Sequence, residues 1–158
     1  MVEARYEEMK EKAKASIDKA AAVSLTSDMW TSINTEAYLA VTCHYINDSS
    51  TLNTVVLGVQ HFPKAHTAAN IAEVKTSLMR EWDITDKVTC LVTDGAANMG
   101  ACARELRLKH AICIAHTLNL MVKKALEQTP EISDIRGKSH KIVGYFRSST
   151  TEKVSSVA

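Results

Sequence analysis

Two aspartates in this 158-residue sequence stand where a carboxylate can do chemistry. Asp28, in VSLTSDMW, and Asp94, in KVTCLVTDGAANMG, each close a β-type apolar run and lead into a turn. If those runs are parallel neighbours in the centre of an open α/β sheet, both carboxylates emerge at the carboxyl edge, where such sheets place their ligands. Two like charges meeting there repel, and a divalent cation relieves the repulsion. Mg²⁺ takes one or two carboxylates together with phosphate oxygens rather than a full protein cage. The same residues also read structurally, as strand-end or helix N-cap acids that accept backbone N–H groups and favour the first turn of a helix. Both readings stay open, because separation along a sequence does not make strands neighbours.

Further candidates surround this pair. Asn98, on the first turn after Asp94, reads as a cap or a phosphate contact. His110, Cys113 and His116 form HxxCxxH, but a structural zinc site wants four ligands and no second pair is near, so zinc is not expected. Cys113 reads as a small buried side chain and His116 as a hydrogen-bonding group near the acidic edge. Arg136, Lys138, His140, Lys141 and Arg147 make a basic helical stretch that can meet DNA phosphates or can simply be a solvated face. Trp30 reads as a core residue. GAANMG carries neither GxGxxG nor GK[ST], which argues against a mononucleotide loop.

The elements that must position these groups follow from periodicity. Residues 3 to about 22 are rich in Ala, Glu and Lys, with Tyr6, Met9, Ala13 and Ile17 on one narrow helical face. From Val23 the pattern changes to three β-type runs joined by short polar loops, an antiparallel meander. TAANIAEVKTSLMREW then places Ile71, Val74, Leu78 and Trp82 on one face of a helix capped by Thr67. KVTCLVTD reads as a strand covered on both faces. Helix, short strand and helix follow, and Pro130 separates that helix from ISDIRGKSHKIVGYFR. The order predicts a mixed α/β sheet, three antiparallel strands followed by parallel strands, flanked by helices. The expected division is a helical arm over 1–22, a core over 23–130 and a further helix within 131–158.

Composition narrows the partners. A net charge of +1 and a pI of about 7.7 advertise no global nucleic-acid field, so any such binding must be local. No stretch approaches the roughly 18 apolar residues of a membrane span, so no membrane partner is expected. The four cysteines show neither CxxC nor a close-spaced framework, which fits a reducing compartment.

Read in order, TSDMWTS, HTAANI, VTDGAANM, CIAHTLNL and KIVGYFRSS resemble the hAT superfamily of DNA transposases, and especially the BED-type zinc-finger proteins domesticated from them. The resemblance implies an RNase H-like fold and a metal-binding acidic triad that cuts and joins DNA with Mg²⁺ or Mn²⁺. Asp28 matches the first acid and Asp94 the second, and Cys113 and His116 match a motif close to that site. The third acid, a glutamate, lies in the family beyond a long helical insertion. It is expected outside these residues, together with the insertion, the last helix and the BED finger, since Glu105, Glu127, Glu131, Asp134 and Glu152 stand in other contexts. The implied protein is a nuclear, transposable-element-derived module of transcription regulation that binds DNA, a protein partner or itself, holds metal weakly or not at all, and does not cut DNA alone. The alternative is a fragment or subunit of an active divalent-metal-dependent transposase, completed by a glutamate supplied elsewhere.

Overall fold

The change from helical to strand periodicity near Val23 is where the chain enters its sheet. A computed structural model describes residues 2–148. The elements are α1 (Val2–Asp18), β1 (Val23–Thr31), β2 (Ala37–Ile46), β3 (Leu52–His61), α2 (Ala68–Glu81), β4 (Val88–Thr93), α3 (Ala97–Glu105), β5 (Lys109–Ile112), α4 (Ile114–Glu127) and α5 (Pro130–Ser148). They fall into two units, divided between Cys113 and Ile114.

In the first unit five strands form one sheet in the order β3-β2-β1-β4-β5. The pairs β1–β2 and β2–β3 are antiparallel, whereas β1–β4 and β4–β5 are parallel. Polar turns make the meander. Thr35 takes a positive φ of 63° between β1 and β2, and Asn47 Oδ1 accepts the N–H groups of Ser49 and Thr51 between β2 and β3. Helical crossovers then carry the chain into parallel strands. The result is the mixed, helix-flanked sheet of an RNase H-like fold.

One sheet face carries the core. Leu25, Leu39, Val41, Cys43 and Leu91 are fully buried there, with Ile17 of α1, Ile71 and Leu78 of α2, and Met99 and Cys102 of α3 packed into the same cluster. Each such aliphatic side chain contributes about 1.5–3 kcal/mol on burial. Alternation is strict along β2 and holds along the first half of β1. β4 departs from the expected two-sided cover. Val88, Leu91 and Thr93 are buried but Thr89 is exposed, because the register shifts there: Val23 pairs with Val88 and Ser24 with Cys90, leaving Thr89 as the extra residue of a bulge.

Thr67 caps α2 as its sequence suggests, its hydroxyl accepting the Asn70 N–H at 3.3 Å. Trp82 at the other end is buried, and its Nε1–H donates to the Leu57 carbonyl at 2.9 Å. α1 is seated by its C-terminal half. Ile17 is buried, Tyr45 donates its hydroxyl proton to Ser16 Oγ at 2.7 Å, and Lys87 pairs with Asp18 at 2.9 Å. Tyr6 and Met9, on the same expected stripe, are exposed. The second unit consists of α4 and α5, with Pro130 at the first position of α5, where its missing N–H costs nothing. Neither helix buries a residue, and Ile114, Leu118, Met121, Ile135 and Tyr145 are all more than half exposed.

Lys75 is the departure from pattern. It lies on the buried stripe of α2 between Ile71 and Leu78, fully buried, and its ammonium donates to Met99 Sδ at 3.5 Å. Burial pushes its pKa below the ordinary lysine value of 10.5, with Cys102 and Asp94 pulling the other way. The unfolded chain therefore binds more protons than the folded one in the window just below 10.5, and stability from this group rises with pH across it. Lys75→Met removes the buried charge at similar volume. It should raise stability at neutral pH by about 1–3 kcal/mol and flatten the rise toward alkaline pH, as read by urea unfolding at several pH values.

Candidate acidic site at the sheet edge

The site is built by the parallel pairing of β1 and β4. Leu25 lies opposite Leu91 and Thr26 opposite Val92. Two residues further along each chain come Asp28 and Asp94, so the two acids stand side by side at the carboxyl end of adjacent central strands. Their settings differ. Asp94 follows the last residue of β4, as expected, and is partly buried. Asp28 does not end its strand. β1 runs on to Thr31, because Asp28 to Thr31 continue to pair with Ala40 to Ala37 on the β2 side after β4 has stopped. Its side chain is exposed, on the face opposite Leu25 and Ser27.

Each carboxylate spends one oxygen on its own backbone. Asp28 Oδ1 accepts the Met29 N–H at 2.9 Å, and Asp94 Oδ1 accepts the Ala96 N–H at 3.1 Å, an Asx-type turn that leads into α3. The structural reading of Asp94 is thus realised, and it does not exhaust the residue, for Oδ2 of each carboxylate has no hydrogen bond among the described residues. Asn98 Nδ2 donates to the His66 carbonyl at 3.0 Å while its Oδ1 accepts the Met99 N–H, tying α3 to the loop before α2.

Thr93 and His110 anchor the turn, and the sequence reading did not pair them. The Thr93 hydroxyl, on a side chain only 2% exposed, shares a hydrogen bond with His110 Nε2 at 2.9 Å and accepts the Gly95 N–H at 3.3 Å. The Thr93 carbonyl accepts the Cys113 N–H at 2.7 Å. His110 was visible only as one end of HxxCxxH, a pattern that suggests metal, whereas its partner is a threonine hydroxyl. Gly95 has a φ of 87°, and a Cβ built there would meet Ile112 Cγ2 at 3.3 Å, a close contact that the exposed Ile112 side chain can relieve, so it is the left-handed backbone that calls for glycine.

The remaining candidates distribute as follows. Cys113 closes the first unit, while His116, half-buried, belongs to α4. Arg136 and Lys138 are engaged by Glu127 at 3.8 Å and Asp134 at 2.6 Å. Lys141 and Arg147 are exposed and make no ion pair among the described residues. Trp30 is not in the core. It is 41% exposed and stacks on Tyr38 with ring centres 5.8 Å apart and planes 19° apart. Among the described residues no group of three or more His, Cys, Asp or Glu is placed to hold a metal. Two neighbouring carboxylates with one free oxygen each fit part of the coordination that Mg²⁺ or Mn²⁺ accepts, the rest falling to water or phosphate.

Sheet order and helical crossovers are those of an RNase H-like domain. Residues 26–123 match the family described as the ZBED1 RNase-like domain, and the chain belongs to that family. It is similar to the putative AC transposase and the putative AC9 transposase of Zea mays, each 29% identical over 137 residues. It is also similar to the putative transcriptional regulator tpeD of Talaromyces stipitatus, 25% identical over 123 residues. These alignments cover 77%, 77% and 70% of this chain but only 17%, 16% and 14% of the relatives, so the chain spans about a sixth of their length. The domain is hAT-derived.

Two substitutions test the turn. Gly95→Ala should cost about 1–2 kcal/mol through its left-handed backbone, and Thr93→Val about 1 kcal/mol through the lost hydroxyl bonds, both read by denaturant unfolding.

Proposed function

We propose that this chain is a nuclear, hAT transposase-derived DNA-binding module in which Asp28 and Asp94 hold a divalent cation weakly, and that these 158 residues do not cut DNA on their own. The observation that carries the reading is the placement of the two acids on neighbouring parallel strands at one sheet end. A bound Mg²⁺ or Mn²⁺ would supply positive charge to a DNA phosphate there. The chain's own contribution is to hold the carboxylates. The Thr93–His110 bond and the Asx turn fix Asp94, and the β1–β2 ladder fixes Asp28. With two acids the site lacks the charge and geometric constraint of a third, so affinity is low. Of the four basic residues expected to meet DNA, Lys141 and Arg147 make no ion pair among the described residues, and the exposed apolar side chains of α4 and α5 favour a protein partner or a second copy. The transposase and transcriptional-regulator names of the relatives support a nuclear setting and a role on DNA.

A second reading is favoured by the same acid pair and by the small share of the relatives that this chain spans. Here the domain is part of an active divalent-metal-dependent DNA transposase, with the glutamate supplied elsewhere in the protein or by another chain.

Calorimetric titration with Mn²⁺ should give a dissociation constant of about 10⁻³ M or weaker, abolished by Asp28→Asn and by Asp94→Asn. Incubated with nicked or hairpin DNA and Mn²⁺, the chain should leave the DNA intact. Cleavage lost in Asp28→Ala would replace the first reading with the second. Lys141→Ala and Arg147→Ala should each weaken DNA binding regardless of sequence and reduce its salt slope by about 1.

A further inference from the structure

The sheet has two edges, and they differ in what they present. β5 is an edge of four residues that opens on Lys109, short and charged in the way that keeps an edge from pairing. β3 is the other edge, ten residues long, and no Asp, Glu, Lys or Arg lies anywhere from Ser49 to Pro63. Its one interruption is a bulge. Val41 pairs with Gly58 and Thr42 with Val56, leaving Leu57 as the extra residue, and its carbonyl accepts the Trp82 indole N–H. A bulge bends its strand and ends regular pairing, so Leu52 to Val56 is the regular stretch of this edge.

The turn before β3 fixes which backbone groups face outward. The Asn47 N–H donates to the Thr51 carbonyl at 3.0 Å, so Thr51 turns its backbone toward β2. By alternation Asn53 and Val55 do the same, and the N–H and C=O groups of Leu52, Thr54 and Val56 point away from the sheet. Among the described residues no strand lies beyond β3 to receive them. The side chains of the same three residues are exposed, Leu52 by 68% and Val56 by 59%. Thr54 is held in place by His44, whose Nδ1 shares a hydrogen bond with its hydroxyl at 3.0 Å. Ile46, opposite Leu52 on β2, is exposed beside it.

We propose that Leu52 to Val56 pairs antiparallel with the same stretch of a second copy of this chain, about a two-fold axis at Thr54. A strand that pairs with itself in this way meets its own sequence reversed. Here the reversal matches. Thr54 meets its counterpart, and Leu52 of each copy meets Val56 of the other, pairs that stabilise an antiparallel ladder. The outward groups of the three residues on each copy then close about six inter-chain hydrogen bonds. No like charges meet, since the strand carries none, and Ile46, Leu52 and Val56 of both copies join into one apolar strip on the outer face. A foreign strand would gain the same backbone bonds, but a strand with charges would bury them against this strip, so the side chains select the copy. Pairing over so short a stretch falls below the roughly 1,200 Å² of a standard interface, and the dimer is weak, with a dissociation constant of about 10⁻⁵ to 10⁻⁴ M.

Sedimentation of the whole chain, from about tenfold below to tenfold above that constant, tests the pairing. The wild type should pass from monomer to dimer. Leu52→Lys and Val56→Glu, both at exposed positions, should each keep the wild-type circular dichroism and weaken association by about tenfold or more. Mixed in equal amounts, the two variants should associate again, because the register sets the new ammonium of one beside the new carboxylate of the other. In the wild type, amide exchange at Leu52, Thr54 and Val56 should slow as concentration rises, while Asn53 and Val55, bonded to β2, stay protected throughout. A wild type that remains monomeric over the range overturns the proposal. So does a dimer that persists unchanged in both variants, which would place the contact elsewhere, as on α4 and α5. Dissociated variants whose mixture stays monomeric overturn it as well.

Discussion

Parallel hydrogen bonding between β1 and β4 joins a strand of the meander to a strand that the chain reaches only after two further strands and a helix, and the placement of both aspartates depends on it. A shift of that register by one residue would turn one strand's buried set to the wrong face. Leu25 and Leu91, both fully buried, resist such a shift. The core and the acidic edge are thus set by one alignment. Side chains of odd number on β1 build the interior, and Asp28 and Trp30, of even number, face outward at the strand's carboxyl end.

Behind Asp94 the structure concentrates constraint. A left-handed glycine, an Asx turn, and a threonine whose hydroxyl serves both a histidine and a backbone amide all act within three consecutive residues. Around Asp28 it concentrates openness, with β4 ended on one side and the side chain exposed. Rigid support on one acid and access at the other suit a shared ion better than two like settings would, since one ligand holds position while the other admits water or phosphate. Lys75 adds a buried amine behind this turn at a cost in stability, burial disfavouring its charged form while Cys102 and Asp94 favour it.

Much of this was legible in the residues. Periodicity located the meander, the Thr67 cap and the buried faces of Ile71, Leu78 and Trp82, and the motif order carried the RNase H-like family. What escaped was set by pairing across the sheet. Asp28 looked like a strand end because TSIN reads as a loop, yet β2 holds β1 in extended form through Thr31. Trp30 looked like core because large aromatics usually are, but its strand parity assigns it to the open face. Lys75 was invisible because helical periodicity describes which positions are buried and says nothing when a charged residue occupies one. The Thr93–His110 bond links residues on different strands, and no local pattern announces it.

The claim on which the account turns is that Asp28 and Asp94 act as one site. Paramagnetic broadening by Mn²⁺ in amide NMR spectra tests it most directly, since the effect falls steeply with distance from the ion. At substoichiometric Mn²⁺ the amides of Asp28 and Met29 should broaden together with those of Asp94, Gly95 and Ala96, along one titration curve, and both groups should recover in Asp94→Asn. Broadening of one group without the other, or first at the acidic residues of α1, would contradict it.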